Sequence, residues 1–401
     1  MIGVGDLVEA ARRYGTPLYV YDYNLVEDRL KLVYRLLSSH RGESAAAFQA
    51  GHAPIADLLR FLGEREAWFT ASTGGEVELL LHAGVSPGRV ILRGPGKAGW
   101  ELRHAVARRL YSVHADTLGE VAEIAAEAAA RDIVQRIGVE VNPGVEVGKR
   151  GGVRLSTRWS KLGVEPGQLL EAAGGIAGID SVELVGLSAE VGPVGDAAPY
   201  LGAAAVLLDV AEKLSVEGVH VEYIDLGELP ESPEAAAAVV NALADLVSGS
   251  HPDMGLVVEP GRLLVSEAAV LVARVLAVKE LYGRRWAILD ASLTDYPAPL
   301  VSRAKPRVEC LTCGERTQRL YSMAGPLPDG FDQLGMGVLL PELRRGDLVA
   351  FRGAGVYGWA LSSNYRFRPR PPVVRMYMGD ERVVAVRETI DDLVSRQLLH
   401  E

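Results

Sequence analysis

Cys310 and Cys313 are the only cysteines of the 401-residue chain and form a C-x-x-C pair. Thiolates at this spacing bind structural zinc when a second pair completes a tetrahedral site, and the chain has no second pair. A metal would therefore have to be shared between two subunits. The alternatives are a local disulfide and two free thiols. A thioredoxin-like redox role is not indicated, because residues 308–315 predict a β-hairpin rather than a strand followed by a helix.

Short β-rich segments alternate with stretches rich in Ala, Leu and Glu over the first 260 residues. The predicted strands lie at about 45–48, 66–70, 89–92, 111–114, 134–141, 182–190, 220–226 and 255–259. The predicted helices include 53–63, 75–84, 118–131, 198–214 and 232–248. Eight strands with intervening helices predict a (β/α)₈ barrel, with functional residues at the carboxyl ends of its strands.

Strands and turns replace this alternation after about residue 265, and the chain is long for a single core, so we expect two domains. The predicted strands of the second domain include 270–278, 286–290, 347–351 and 373–378.

Composition excludes several classes of protein. Hydrophobic residues make up 48% and charged residues 23%, as in ordinary globular proteins. The net charge of −10 and the lack of a basic cluster argue against a nucleic-acid partner. The apolar stretch 268–278 contains Arg274 and is too short to span a bilayer, and residues 1–15 do not resemble a signal peptide, so we expect a cytoplasmic protein. Scarce Asn, Gln and Cys suggest a thermophile, although a GC-rich genome would give a similar bias.

Motifs spread over residues 14 to 375 resemble those of diaminopimelate decarboxylases, pyridoxal-phosphate (PLP) enzymes of the alanine-racemase-like type III fold. In chain order they are 14–22 (YGTPLYVYD), 69–76 (FTASTGGE), 94–97 (GPGK), 141–144 (VNPG), 160–163 (SKLG), 259–262 (EPGR), 289–291 (LDA), 325–327 (GPL), 353–358 (GAGVYG), 362–365 (SSNY) and 368–369 (RP). The resemblance implies an α/β fold: a TIM-type barrel over 25–265, plus a C-terminal β-sandwich or β-barrel domain formed by 266–401 and by the N-terminal strand within 1–24. It also implies a homodimer.

Gln49 stands where the resemblance places the lysine that forms a Schiff base with the cofactor. An amide nitrogen is neither basic nor nucleophilic and cannot form this bond. The alternative is that Gln49 is a structural polar residue whose amide makes its hydrogen bonds at the end of a strand. Thr70 stands in place of a family aspartate, and Glu190 takes the position of an imidazole that stacks on the cofactor ring. A carboxylate offers no flat π-face for such stacking.

The phosphate-binding turn and the substrate positions also depart from the family. Gly227 matches one glycine of the turn. Glu228 adds a negative charge, which would repel a phosphate bound there. The alternative is a solvated loop carboxylate that points away from the site. Pro328 replaces a cysteine that reaches the partner subunit's site, and Asp329 matches the acidic residue beside it. Ala298 replaces an arginine for the substrate carboxylate.

Several cofactor positions are retained. Glu259 matches the carboxylate that holds the pyridinium proton, Gly261 and Arg262 match phosphate contacts, and Tyr357 matches a phenol near the phosphate. Arg262 could still bind an anion bidentately. The alternative is structural retention of 259–262, which ends the eighth strand and packs it against the β-domain.

A replacement for the missing Schiff-base lysine would have to come from the seven lysines of the chain. Lys149, in a loop after the fifth predicted strand, is the only one that we place near the barrel mouth. The alternative for Lys149 is a solvated loop charge.

Two classes of function follow. In the first, a decarboxylase homologue without Schiff-base chemistry acts as a binding, regulatory or partner subunit for a small anion or an active relative, with which it could form a heterodimer. In the second, the chain is an active amino-acid decarboxylase of lysine biosynthesis, or an enzyme with changed chemistry at Glu190, Asp329 and Glu259.

Overall fold

A computed structural model describes residues 2–145, 157–297 and 307–398 and divides the chain into two compact units. One unit is Arg29–Leu263, and the other combines Met1–Asp28 with Leu264–Glu401. The sequence-based boundaries at 24/25 and 265/266 lie within a few residues of this division.

The first unit contains a closed barrel of eight parallel strands. The strands are β2 (Ser44–Gln49), β3 (Trp68–Ala71), β4 (Val90–Leu92), β5 (Ser112–Ala115), β6 (Gln135–Glu140), β7 (Val182–Ser188), β8 (Tyr223–Glu228) and β9 (Gly255–Glu259), with β1 in the other unit. The ring closes because β9 pairs with β2 through Ser44 and Leu256. The prediction of a (β/α)₈ barrel is confirmed.

Helices follow the strands around the barrel. They are α2 (Tyr23–Leu37), α3 (Ala56–Gly63), α4 (Gly74–His82), α5 (Gly99–Arg108), α6 (Leu118–Ala129), α7 (Pro166–Ala177), α8 (Ala198–Val216), α9 (Pro233–Ser250) and α10 (Gly261–Val265), with 3₁₀ turns at Ala50–His52 and Pro87–Arg89. Thr73 and Thr117 cap α4 and α6 by accepting the N–H groups of Glu76 and Glu120. The caps lie two residues beyond the ends of β3 and β5, and each helix begins at the next residue.

The amino half of the barrel interior is apolar and aromatic. Ala45, Ala47, Ile91, Val185, Tyr223 and Val257 form a buried cluster, with Trp68 and Tyr111 packed against it. Alternate residues of a barrel strand face the interior, so Gln49, Arg93, Asp225 and Glu259, which lie two positions beyond Ala47, Ile91, Tyr223 and Val257, also face inward. The side chains at the carboxyl ends of the strands are thereby directed into the barrel mouth.

The second unit contains a mixed nine-stranded sheet. Its elements are α1 (Val4–Tyr14), β1 (Leu18–Asp22), β10 (Ala269–Leu281), β11 (Arg284–Leu289), β12 (Arg307–Cys310), β13 (Gln318–Ala324), β14 (Gln333–Pro341), β15 (Leu348–Arg352), a 3₁₀ turn (Tyr365–Phe367), β16 (Val373–Tyr377), β17 (Asp380–Ala385) and a short helix (Ile390–Val394). β1 lies between β10 and β16, as expected for the N-terminal strand. The core of the second unit lies between α1 and the sheet and includes Leu7, Val20 and Val272.

Helix α1 was not predicted from the sequence. Leu7, Ala10 and Ala11 recur on one of its faces and pack into the core of the second unit. In the described ranges, no helix is both long enough and apolar enough to cross a bilayer.

Candidate functional site

The carboxyl ends of the barrel strands bring an array of polar side chains to the interior. Gln49 ends β2, Thr70 lies on β3, Arg93 directly follows β4, and Glu140 and Glu259 end β6 and β9. Asp225 lies on β8 and Glu190 two residues beyond β7. The Thr70 hydroxyl is buried without a hydrogen-bond partner among the residues that the structure describes. Barrel enzymes carry their active sites at this end.

A single guanidinium organises this array. Arg93 contacts Glu259 at 2.5 Å, Glu140 at 2.9 Å, Asp225 at 3.1 Å and Glu190 at 3.6 Å. We call these five side chains the Arg93 cluster. Arg93 is almost fully buried, and its forked donors reach carboxylates on four different strands or strand ends.

The Arg93 cluster holds more negative than positive charge. Four carboxyl groups surround one guanidinium, so full ionisation would leave three uncompensated negative charges. Burial raises the pKa of Glu259, and neighbouring carboxylates raise it further, against the opposing effect of Arg93. Burial likewise raises the pKa of Asp225, and it raises the pKa of Glu190 to about 7. The cluster therefore retains protons at pH values where exposed carboxyl groups have lost theirs.

A chain of hydrogen bonds leads from the Arg93 cluster into the barrel interior. The Ser188 hydroxyl donates to Glu140 at 2.6 Å and lies 2.8 Å from His114 Nδ1. His114 Nε2 lies 2.7 Å from the Tyr223 hydroxyl, which is 2.7 Å from Ser112 Oγ. Burial, with the positive charges of Arg93 and Lys97, lowers the pKa of His114 well below its usual value. His114 is therefore neutral, with one ring nitrogen donating and the other accepting.

The carboxyl end of β8 is irregular between Asp225 and Glu228, a segment called here the Gly227 turn, and carboxylates of the same unit occupy it. Gly227 adopts φ +72°, and a Cβ there would lie 2.6 Å from the Glu190 carboxylate. The Gly227 N–H donates to Asp225 at 2.9 Å, and the Glu228 and Gly192 N–H groups donate to Glu190 at 3.2 Å. Backbone amides of such a turn are the donors that bind phosphate. Here they bind internal carboxylates.

Glu228 forms a second buried ion pair. Its Oε1 lies 2.9 Å from His52 Nε2 and 2.8 Å from Arg262 Nε. Burial raises the pKa of Glu228, but His52 and Arg262 lower it more, so the net direction is downward. The alternative of a solvated charge that points away from the site is therefore wrong. Gly261 packs directly on the His52 ring, where a Cβ would overlap Nδ1.

Eight predicted positions lie in the barrel unit, at or near the carboxyl ends of its strands, namely Gln49, Thr70, Glu190, Gly227, Glu228, Glu259, Gly261 and Arg262. Pro328, Asp329 and Tyr357 belong to the other unit, where Asp329 pairs with Arg366 at 2.9 Å. Lys149 and Ala298 lie outside the described residues. Lys97 is held by the Gly94 carbonyl at 2.6 Å and by Glu120 at 3.0 Å.

Cys310 and Cys313 are joined by a disulfide in the second unit. This is one of the three states that the sequence leaves open.

Arg93, Glu140 and Asp225 were not predicted as site residues from the sequence. Each lies beside a family motif or a predicted site residue, since Arg93 precedes 94–97, Glu140 precedes 141–144 and Asp225 lies two residues before Gly227. The sequence feature that could have identified them is the alternation of inward-facing and outward-facing residues along each strand. Ile91 and Gly138 face inward, which directs Arg93 and Glu140 into the same space.

Comparison with known proteins places this architecture in a family. Residues 47–266 match the family model of the pyridoxal-dependent decarboxylases, described as the pyridoxal binding domain. The chain belongs to this family of two-domain barrel proteins.

Several relatives within the family carry the name diaminopimelate decarboxylase. The protein of that name from Methanothermobacter thermautotrophicus is 30% identical, with 99% of this chain and 95% of the relative covered. The Aquifex aeolicus protein of that name is 27% identical, with 98% and 94% covered. The crystal structure of diaminopimelate decarboxylase from M. jannaschii has the same fold, with a TM-score of 0.91 and 21% identity over 98% of this chain and 95% of that one.

The residues at the barrel mouth do not fit PLP bound in the manner that the family implies. A phosphate would need the amides of the Gly227 turn and the Arg262 side chain. The amides of Gly227 and Glu228 instead donate to Asp225 and Glu190, and Arg262 pairs with Glu228. A pyridinium would need Glu259, which binds Arg93. The Gly227 and Glu228 amides, Arg262 and Glu259 thus each have an internal partner of complementary charge or hydrogen bonding.

Proposed function

We propose that this chain is a diaminopimelate decarboxylase homologue that does not carry out Schiff-base decarboxylation and acts as a binding, regulatory or partner subunit. The observation that carries the proposal is the pairing of Arg93 with Glu259 and of Glu228 with Arg262. Arg93 supplies the positive charge that a pyridinium would bring, and Glu228 supplies the negative charge that a phosphate would bring.

Gln49 supports the proposal independently of these charges. It ends β2 at the barrel mouth, and its amide cannot condense with an aldehyde. Among the described lysines at this end of the barrel, Lys97 is buried in its contacts with Glu120 and Gly94. Its charge therefore already has a partner, and freeing Lys97 would leave Glu120 unpaired in a buried position.

A second candidate function is amino-acid decarboxylation, and the names of the relatives favour it over the first. All the relatives cited above are called diaminopimelate decarboxylases, and the related enzyme of Helicobacter pylori has been crystallised with L-lysine. Activity in this chain would require an amine from outside the described residues, such as Lys149, or different chemistry at Glu190, Asp329 and Glu259.

Absorbance of the purified protein with added PLP, before and after borohydride, tests both functions. We expect no band of a protonated aldimine and no pyridoxyl group covalently attached after reduction. Lys149→Ala and Lys213→Ala are matched variants, because Lys213 is an exposed helical lysine paired with Asp209. An aldimine band that Lys149→Ala abolishes and Lys213→Ala preserves would reject the proposal, and so would lysine formation from diaminopimelate.

We also propose that the chain forms a homodimer, as the family resemblance implies. Leu320 and Leu339 pair across β13 and β14 and are both exposed, which leaves apolar surface available on the second unit. Sedimentation velocity at micromolar concentration should show a dimer. A monomer under these conditions would contradict it.

A further inference from the structure

We propose that reduced Cys310 and Cys313 form, together with Asp347 of the same chain, a three-ligand site for Zn²⁺ that the disulfide switches off. The ligand atoms of these three residues lie within 4.8 Å of one another. The site belongs to the second unit and does not depend on the function proposed for the barrel.

The distances suit tetrahedral zinc. A tetrahedral ion with Zn–S bonds of about 2.3 Å and a Zn–O bond of about 2.0 Å holds its sulfur and oxygen ligands about 3.5 Å apart. Cys313 Sγ lies 3.6 Å from Asp347 Oδ2. The Cα atoms of Cys310 and Cys313 are 5.7 Å apart, and two residues separate the cysteines, as in the paired ligands of zinc sites.

Backbone contacts hold the three residues together without help from the disulfide. Cys310 ends β12 and pairs with Val349 of β15, and Asp347 directly precedes β15. The Leu311 N–H donates to the Leu348 carbonyl at 2.8 Å, and the Leu348 N–H donates to Thr312 Oγ1 at 3.0 Å. Reduction therefore leaves the backbone of the three residues in place, and the two sulfur atoms need only separate to about 3.8 Å, their spacing on a tetrahedral zinc ion.

The surroundings of Asp347 orient it and balance the charge. Arg316 binds the carboxylate at 2.6 Å, and the Arg344 N–H donates to it at 2.6 Å. Two thiolates, one carboxylate, one Zn²⁺ and one guanidinium sum to zero net charge. Arg316 thus acts as the outer partner that metal-ligating carboxylates commonly have, and a water molecule would complete the tetrahedron.

Reduction and metal binding are separate, balanced steps. A dithiol such as dithiothreitol supplies two electrons and two protons, breaks the Cys310–Cys313 bond and becomes a cyclic disulfide. The two thiols then release their protons to solvent as they bind Zn²⁺. In the disulfide, neither sulfur is a thiolate, and the site loses two of its three ligands.

Titration of the reduced full-length protein with Zn²⁺ against a chromophoric chelator tests the proposal. We expect one Zn²⁺ per chain, little binding after reoxidation, loss of binding in Cys313→Ser and at least about tenfold weaker binding in Asp347→Asn. Glu309→Gln is the matched control, because this neighbouring carboxylate pairs with Arg352 and should not affect affinity. Unchanged affinity in Asp347→Asn, or equal affinity in the oxidised protein, would overturn the proposal.

X-ray absorption at the zinc edge of the wild-type protein gives an answer that needs no variant. We expect two sulfur neighbours with light atoms completing the shell. Four sulfur neighbours with one Zn²⁺ per two chains would show a site shared between subunits instead, and failure of the reduced protein to bind Zn²⁺ would reject both arrangements.

Discussion

The Arg93 guanidinium lies 2.5 Å from Oε1 of Glu259, the carboxylate to which the family resemblance assigns the pyridinium nitrogen. Both groups are buried, so neither can exchange its partner for water at low cost. A cofactor ring that approached Glu259 would have to displace a cation that also binds Glu140, Asp225 and Glu190.

Replacing Glu228 with glutamine should create an anion site. The substitution removes the negative charge that pairs with Arg262 and His52, while the volume hardly changes. We expect Glu228→Gln to bind inorganic phosphate or PLP more tightly than the wild type by about tenfold or more, since a charged hydrogen bond contributes about 1.5–3 kcal/mol. Calorimetric titration with each anion measures the effect.

The double variant Glu228→Gln/Arg262→Met is the control for this gain, because it lacks the guanidinium. Phosphate affinity equal to that of Glu228→Gln would show that the anion does not bind at Arg262.

Replacing Arg93 with methionine should strongly destabilise the protein. The variant leaves four buried carboxyl groups without their cation, and breaking a buried ion pair costs about 3–5 kcal/mol. The free energy of unfolding lost by Arg93→Met should be smaller at pH 5 than at pH 8, because protonated carboxyl groups do not repel one another as ionised ones do. Urea unfolding at both pH values measures it. Arg103→Met removes an exposed arginine of α5 and should change stability little; an equal loss in both variants would contradict the prediction.

The ionisation of Glu190 should make stability depend on pH. Burial raises the pKa of Glu190 to about 7 and Arg93 opposes the shift, while the unfolded value is about 4.3. The folded state therefore binds the proton more tightly, and this contribution to stability is lost as the pH rises from about 4.3 through 7.

Glu190→Gln does not titrate, so its stability should fall less than that of the wild type between pH 5 and pH 8. Between pH 5 and pH 8, we expect the free energy of unfolding measured in urea to fall by about 1–3 kcal/mol more in the wild type than in Glu190→Gln. Glu183→Gln changes an exposed residue of the same strand and should keep the wild-type dependence. Parallel profiles for wild type and Glu190→Gln would mean that Glu190 ionises normally.

Restoring a lysine at position 49 should not restore a decarboxylase. In Gln49→Lys, Glu190 still occupies the Gly227 turn and Glu228 still neutralises Arg262. By resemblance, Pro328 also lacks the thiol of the partner-subunit loop. Each of these departures costs about 1–3 kcal/mol in binding or transition-state stabilisation. We expect neither an aldimine band nor release of CO₂ from diaminopimelate.

The triple variant Gln49→Lys/Glu190→His/Glu228→Gly provides the comparison. It should bind PLP more tightly than the single variant, because the turn amides and Arg262 become available. Diaminopimelate decarboxylation by Gln49→Lys alone would show that position 49 is the only defect.

The barrel could be predicted from the sequence because most of its strands are short, largely buried segments rich in apolar residues, separated by helical stretches. It also located Gln49, Glu190 and Glu228, since the family motifs fix their positions. It did not predict the pairing of Arg93 with Glu259, because 166 residues separate them and only the closed ring of strands brings them together. Helix α1 was missed because residues 1–24 were assigned only to a strand.

The Arg93 cluster restricts which sequences the protein can accept. Arg93, Glu140, Asp225 and Glu259 are buried and Glu190 is partly buried, and the four carboxyl groups share one cation, so their mutational effects should be strongly non-additive. Replacing any one member alone leaves its neighbours with an unmatched charge and lowers stability. Substitutions that keep the cluster stable must therefore change charges in pairs, so the residue at position 190 cannot vary independently of Arg93 and the carboxylates that share it.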